Sequence, residues 1–258
     1  MPRFDAHLGW QWQDRPLEQR ITAAARAGFR AVETAFPYET PAEMVAELCA
    51  ANDLTLLGLN TPLGDTGKGE RGLGAVTGRQ DDFQAAFDQA LAYCVASGAT
   101  AVHAMAGVAP YGEAGIEVLI DNIRRAADKA ANHGLTVLLE GINQRSMPGY
   151  FYSTCEQVAD AIERIGRNNV RMMFDVFHVA IAGGDVLTRL EKFLPLIGHV
   201  QIAAVPSRHE PDEGEIDYSA IFAALDELGY DGWVGCEYSP RGDTDAGLAW
   251  LDRLGAKL

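Results

Sequence analysis

Short apolar runs rich in Val, Leu, Ile and Phe alternate along this chain with longer stretches whose apolar residues recur at i, i+3, i+4 and i+7. The short runs are RFDAHLGW, FRAVETAF, LTLLGLN, TAVHAMAG, LTVLLE, VRMMFD, HVQIAAV and GWVGCEY, and each reads as a strand. A helical pattern follows each one. The first runs from Pro16 to Ala27, with Pro16 suited to a first turn and Gly28 to the position just past the end. TPAEMVAELCAAN is the second, with Thr40 as its N-cap. DDFQAAFDQALAYCVASG and IEVLIDNIRRAADKAANHG follow, then STCEQVADAIERIG, capped by Ser153 or Thr154 with Glu156 placed for a capping box. DVLTRLEKFLPLIG, IDYSAIFAALDELG and DTDAGLAWLDRLGA complete the set.

Strict strand–helix alternation predicts a parallel sheet with helices outside it. Eight repeats over 258 residues, with no break in composition, predict a single (β/α)8 TIM barrel spanning residues 1–258. A doubly wound open sheet is the competing architecture, but no GxGxxG follows the first strand and no P-loop is present. TPLGDTGKGERGLGAVTG, after the third strand, is too long and glycine-rich for a simple connector, so it is expected to be a functional loop that closes over a site.

The polar residues at the strand ends suggest chemistry. LTVLLE ends in Glu140, VRMMFDVFH delivers Asp175 and His178, HVQIAAV carries Gln201, and GWVGCEY carries Glu237. In a barrel of parallel strands such positions converge on one face, where active sites of this architecture lie. Burying a bare carboxylate is costly, so each needs a cation, water or a metal; local Arg145 or Arg241 are the bland partners. Four convergent oxygen donors, Glu140, Asp175, Gln201 and Glu237, suit one divalent cation. Three carboxylates and an amide accept Mg²⁺, Mn²⁺ and several others. Arg208 is the preferred partner for a substrate carboxylate, since a guanidinium binds one bidentately; the bland reading is a surface ion pair with Glu210, Glu213 or Glu215. Lys68 and Arg71 in the glycine-rich loop are rival cations, and Asn60 is placed to hydrogen-bond a substrate from the third strand. Trp10 and Trp12 offer an apolar wall or simply pack across the barrel mouth.

Composition narrows the partners. A formal net charge of −15 opposes binding to a nucleic-acid backbone or an anionic membrane. It leaves room for a small anionic substrate beside a metal. Cys49, Cys94, Cys155 and Cys236 form no CxxC pair, as expected in a reducing cytoplasm. The N-terminus has no signal-peptide core, and no stretch is long enough to span a bilayer. A cytoplasmic location is expected; a homo-oligomer is compatible with the sequence, although helix faces alone do not reveal one.

FPYE, GERG with GR after it, LLE-IN-R--PGY, FD--H, GHVQIA, P-RHEP--GEI-Y and GW-GCEY-P run through nearly the whole chain. Together they resemble the hydroxypyruvate isomerase family, within the xylose-isomerase-like barrels. The resemblance implies metal ligation by Glu140, Asp175, Gln201 and Glu237, with the two glutamates as the acid–base pair. It implies interconversion of hydroxypyruvate and tartronate semialdehyde through an enediolate. Two departures stand out. Ala204-Val205 replaces an expected Asp-Asn pair, which looks more like relatives that isomerise 2-oxo-tetronates. Gly141 replaces an expected proline after Glu140 and is expected to loosen that turn.

Other readings are weaker. Sugar 3-epimerases of the wider group share the glutamate pair but usually have His where this chain has Gln201. Apurinic endonucleases need several metals, many His ligands and a basic groove; only His103 suits such a cluster, and the charge opposes it. A barrel that merely binds a sugar acid would not need the intact ligand set.

Overall fold

The computed structural model describes residues 1–258 and is a barrel of parallel strands ringed by helices. The strands are β1 (Arg3–His7), β2 (Ala31–Glu33), β3 (Thr55–Leu56), β4 (Gly58–Asn60), β5 (Ala101–His103), β6 (Thr136–Glu140), β7 (Val170–Asp175), β8 (Ile197–Ile202) and β9 (Trp233–Cys236). Their order is β3-β2-β1-β9-β8-β7-β6-β5-β4. The third predicted strand is broken at Leu57 into β3 and β4. Its first half pairs with β2 and its second with β5, so this one stave brings the ring round.

Side chains alternate between the two faces of each strand. On β6 and β7, Val137, Leu139, Met172 and Phe174 point outward into the large core shared with the helices. Leu138 and Met173 point inward and meet Ala101 in a small separate apolar layer inside the barrel. One step further along the same inward face come His103, Glu140 and Asp175. The apolar layer is therefore a floor beneath the polar strand ends.

The helices are α1 (Leu17–Ala27), α2 (Ala42–Ala51), α3 (Gln80–Ser97), α4 (Glu113–Ala131), α5 (Cys155–Ile165), α6 (Val176–Ala182), α7 (Val186–Phe193), α8 (Tyr218–Glu227), α9 (Thr244–Gly247) and α10 (Trp250–Arg253). Gly28 ends α1 at φ 108°, a left-handed conformation that glycine adopts without a side-chain clash. Several details differ from expectation. Pro41, not Thr40, occupies the cap position of α2 and makes no side-chain cap bond. Thr154 caps α5, but its capping box is completed by Gln157 rather than Glu156. The predicted last helix is two short pieces, α9 and α10. An unpredicted helix, α6, starts directly at the end of β7, where Asp175 caps it by accepting from the Phe177 amide at 2.8 Å. No helix is long and apolar enough to cross a membrane.

Candidate active site

Glu140, Asp175, His178, Gln201 and Glu237 meet at one end of the barrel, as their strand-end positions predicted. A cavity of about 240 Å³ opens there, lined by Glu140, His178, Gln201 and Glu237 together with His7, Trp10, Asn60, His103 and Arg208. Asn60 reaches it from β4.

Buried polar atoms without partners mark where a cation fits. Glu140 Oε1, Asp175 Oδ2 and Gln201 Oε1 are all buried and accept no hydrogen bond. A carboxylate oxygen of Glu140 and one of Asp175 lie within 4.8 Å of each other. Native proteins rarely leave buried oxygens unsatisfied, and hard oxygen donors suit a divalent cation. The donor set therefore fits such an ion.

His178 plays a different part. Its Nδ1 faces two donors, the Asn143 amide nitrogen Nδ2 at 2.6 Å and the Asn143 backbone N–H at 3.3 Å. The orientation of Asn143 is fixed because its Oδ1 accepts from the Ser146 backbone N–H at 2.8 Å. Nδ1 must then be the acceptor, so Nε2 carries the proton. That N–H points at Asp175 Oδ2 (3.5 Å) and Glu140 Oε1 (3.7 Å). In this tautomer His178 presents an N–H rather than a lone pair toward the two carboxylates. Burial, with Arg208 nearby, pushes its pKa down to about 3 and keeps it neutral.

Arg208 sits at φ 58° in the loop after β8. It donates to Glu237 Oε2 at 2.7 Å and lies 3.6 Å from Asp175 Oδ2. Its guanidinium stacks between Trp10 (4.8 Å) and Phe177 (4.7 Å). The surface ion pairs that would have explained it go instead to Arg241, which holds Glu210, Asp212 and Glu213. Trp10 thus forms part of the site wall. Trp12 does not: it is buried edge-on against Phe29, with Nε1 donating to Asp245.

The two glutamates differ in proton affinity. Burial raises the Glu140 pKa, and the negative charges of Glu237 and Asp175 add to that. Burial also acts on Glu237, but Arg208 and His7 outweigh it and hold the group down at about 2. Burial and the Glu237 charge push Asp175 up to about 8.

The structure does not bring Lys68 and Arg71 into this cavity. Lys68 is exposed and pairs with Asp65 at 3.0 Å, while Arg71 donates to the Glu70 backbone oxygen at 2.7 Å. The glycine-rich loop is also less free than a simple lid. Ala75 N–H donates to Ala106 at 2.8 Å, Gly74 N–H to Met105 at 3.1 Å, and Asn122 Nδ2 to Gly74 at 2.9 Å. Only its tip, around residues 64–70, stands away from the barrel. Ala204 and Val205 are buried, so they add no polar group to the rim. At Gly141 a Cβ would lie 3.0 Å from the Thr154 carbonyl oxygen, so the turn after Glu140 is closely packed rather than loosened.

Sequence reasoning missed His7, Asn143, Glu33 and His199. His7 Nε2 lies 3.6 Å from Glu237 Oε1, and His103 Nε2 lies 3.8 Å from Glu140 Oε2. Glu33 accepts from Gln201 Nε2 at 3.0 Å and lies 3.2 Å from His199 Nε2. For His7, Glu33 and His199 the signal was present, as polar residues on the inward phase of strands that also carry apolar residues; Asn143 lies in the loop after β6, where no such phase exists.

Comparison with known proteins agrees with this architecture. The family model described as a xylose isomerase-like TIM barrel matches residues 21–254. The chain is 44% identical to a 2-oxo-tetronate isomerase from Cupriavidus necator, over 97% of this chain and 98% of that protein. It is 34% identical to hydroxypyruvate isomerase from Escherichia coli, over 98% and 99%. A solved structure named AP endonuclease, family 2, from Brucella melitensis superposes with a TM-score of 0.95 at 44% identity, covering 98% of this chain and 99% of that one. A D-psicose 3-epimerase from Clostridium cellulolyticum shares the fold at 20% identity and a TM-score of 0.79. By sequence and by architecture, this chain belongs to the xylose isomerase-like TIM barrel family.

Proposed function

We propose that the protein is an isomerase that exchanges the carbonyl and adjacent hydroxyl positions of a short anionic acid. Hydroxypyruvate and tartronate semialdehyde are the pair we favour, with a 2-oxo-tetronate as the alternative substrate. The observation that carries this reading is one small cavity lined by Glu140, Gln201 and the Glu237–Arg208 pair, in which Glu140 Oε1 and Gln201 Oε1 are buried without partners and Asp175 lies beside Glu140. Relatives named for these two activities, at 34% and 44% identity over nearly full length, support it.

Glu140, Asp175, Gln201 and Glu237 would hold a divalent cation, Mg²⁺ or Mn²⁺. Such an ion would polarise the substrate carbonyl and acidify the neighbouring C–H. Arg208, stacked and oriented between Trp10 and Phe177, binds the substrate carboxylate, and Asn60 contributes from the facing strand. Glu237, held ionised by Arg208, takes the proton from the carbon that bears the hydroxyl. Glu140, the second carboxylate, delivers a proton to the former carbonyl carbon while the substrate's hydroxyl proton passes to the former carbonyl oxygen, and the roles reverse in the other direction. The His178 Nε2–H donates to the enediolate oxygen that forms.

Glu140→Gln and Glu237→Gln each remove an acid–base group while keeping its shape. Each is expected to lower turnover by about 10²–10⁴-fold with an unchanged circular dichroism spectrum. Substantial turnover in either folded variant would remove that glutamate from the mechanism. A nuclease reading, suggested by the name of one similar structure, is opposed by the formal net charge of −15, which repels a nucleic-acid backbone.

A further inference from the structure

The amide of Gln201 has a donating and an accepting end, and only the accepting end can hold a cation. What decides which end faces the cavity is a second carboxylate, on the far side of the barrel. Glu33, at the end of β2, is 4% exposed and places Oε1 3.0 Å from Gln201 Nε2. A carboxylate only accepts, so the amide must turn its nitrogen toward Glu33. Gln201 Oε1 then faces away, buried and without a partner. Glu33 is itself fixed: its other oxygen lies 3.2 Å from His199 Nε2, and His199 stands 3.9 Å from Asp5 Oδ2.

The neighbouring strand leaves room for this contact. A Cβ added at Gly235 would lie 2.1 Å from Glu33 Oε1, 3.0 Å from His199 Nε2 and 3.1 Å from Gln201 Cγ. Gly235 is two residues before Glu237, so one segment of chain both makes space for the clasp and supplies a carboxylate to the site.

We propose that Glu33 is a positioning residue that sets the Gln201 carbonyl toward the metal site. It is not among the residues that line the cavity and acts through the amide. The proposal rests on the reading of Gln201 as a ligand. Outer partners of this kind typically contribute about 10–100-fold to metal affinity.

The test is Mn²⁺ binding, followed by electron paramagnetic resonance, in the full chain and in Glu33→Ala, Gln201→Ala, Asp175→Ala and the Glu33→Ala/Gln201→Ala double variant. We expect both Glu33→Ala and Gln201→Ala to bind Mn²⁺ more weakly, with Glu33→Ala losing about 10–100-fold. The double variant is expected to bind no more weakly than the worse single one, because the two residues act in series. Excess Mn²⁺ restores turnover in Glu33→Ala, which a merely structural role would not produce. If Gln201→Ala weakens binding but Glu33→Ala does not, or the two losses add, the positioning role falls while Gln201 stands as a ligand. If Gln201→Ala binds as the unaltered chain does while Asp175→Ala does not, the ligand reading of Gln201 falls and this proposal with it. Should Glu33→Ala fail to fold, Glu33→Asp keeps a charge near His199 and withdraws it from Gln201 by one methylene. Unaltered Mn²⁺ affinity in that variant would overturn the proposal.

Discussion

If Asp175 and Glu140 hold a divalent cation, the ion must displace the protons they carry, and its affinity must follow pH. Asp175 is pushed up to about 8 by burial and by Glu237, so it is largely protonated at pH 6 in the absence of metal. A carboxylate must be ionised to ligate, and each pH unit below its pKa costs about 1.4 kcal/mol of binding. Lowering the pH from 8, where Asp175 is half ionised, to 6 therefore costs about 2 kcal/mol through Asp175 alone, or roughly fiftyfold in Kd. Glu140, raised by burial and the same neighbours, steepens the dependence if its proton is displaced too; the two titrate as a coupled pair. Arg208 stays charged throughout and does not alter the slope. Titrating the protein with Mn²⁺ at pH 6, 7, 8 and 9, at fixed ionic strength, measures this. Through Asp175 we predict a fall in Kd of about tenfold from pH 6 to 7 and about fivefold from pH 7 to 8, levelling above that. A Kd that does not change between pH 6 and 8 would refute the ionisation argument, and with it the assignment of Asp175 as a ligand.

Three further outcomes follow from the same geometry. The folded-state pKa of Asp175 lies above its unfolded value of about 4, so the folded protein binds more protons between about pH 4 and 8. Below about pH 6.5 the buried, neutral His178 opposes this, because the unfolded chain protonates it and the folded one does not. The melting temperature of the metal-free protein should therefore fall as pH rises from about 6.5 to 8, and Mn²⁺ should recover much of the loss, which calorimetry with and without EDTA checks. Arg208→Ala removes the charge-assisted contact to the substrate carboxylate and the cation beside Glu237, and is expected to lower kcat/KM by about 10²-fold or more. Steady-state kinetics would also show little rescue in Arg208→Lys, since a lysine cannot reproduce the flat guanidinium stacked between two aromatic rings. Tyr218→Phe leaves both backbone groups of Ala203 unpaired, because the hydroxyl accepts from its N–H at 3.1 Å and donates to its C=O at 2.6 Å. The loss of about 1–3 kcal/mol should lower the melting temperature by several degrees in a thermal melt.

The strand ends were legible because an apolar run stopped by a lone carboxylate is costly to bury without a purpose, as in LTVLLE and VRMMFD. Barrel geometry then placed Glu140 and Asp175 side by side with no knowledge of distances. Glu33 and His7 escaped notice because polar residues inside AVETAF and RFDAH look like the solvent-facing phase of an amphipathic strand. Only closure of the ring turns that phase inward. Helix α6 was hidden because VFHVAIA is rich in β-branched and aromatic residues and continues the strand pattern before it. The cap from Asp175 decides for a helix. Lys68 and Arg71 were plausible by charge, but the direction of a loop is not written in its composition. Asp65 and the Glu70 carbonyl hold them outside the cavity. Arg208 lies in the cavity for the complementary reason: Arg241 holds the loop's acidic residues that would otherwise have drawn it to the surface.

The central claim is that this cavity moves a proton between neighbouring carbons of a short 2-oxo acid with the help of a divalent cation. Proton NMR in D₂O, with hydroxypyruvate or a 2-oxo-tetronate, with Mg²⁺ or Mn²⁺ and with EDTA as control, tests it most directly. Isomer formation is expected, with deuterium entering at the carbon that receives the proton, strongly reduced by EDTA and by Glu237→Gln. Exchange that EDTA leaves untouched, epimerisation of ketoses at C3 in place of isomerisation, or no exchange with either acid under either metal would contradict it.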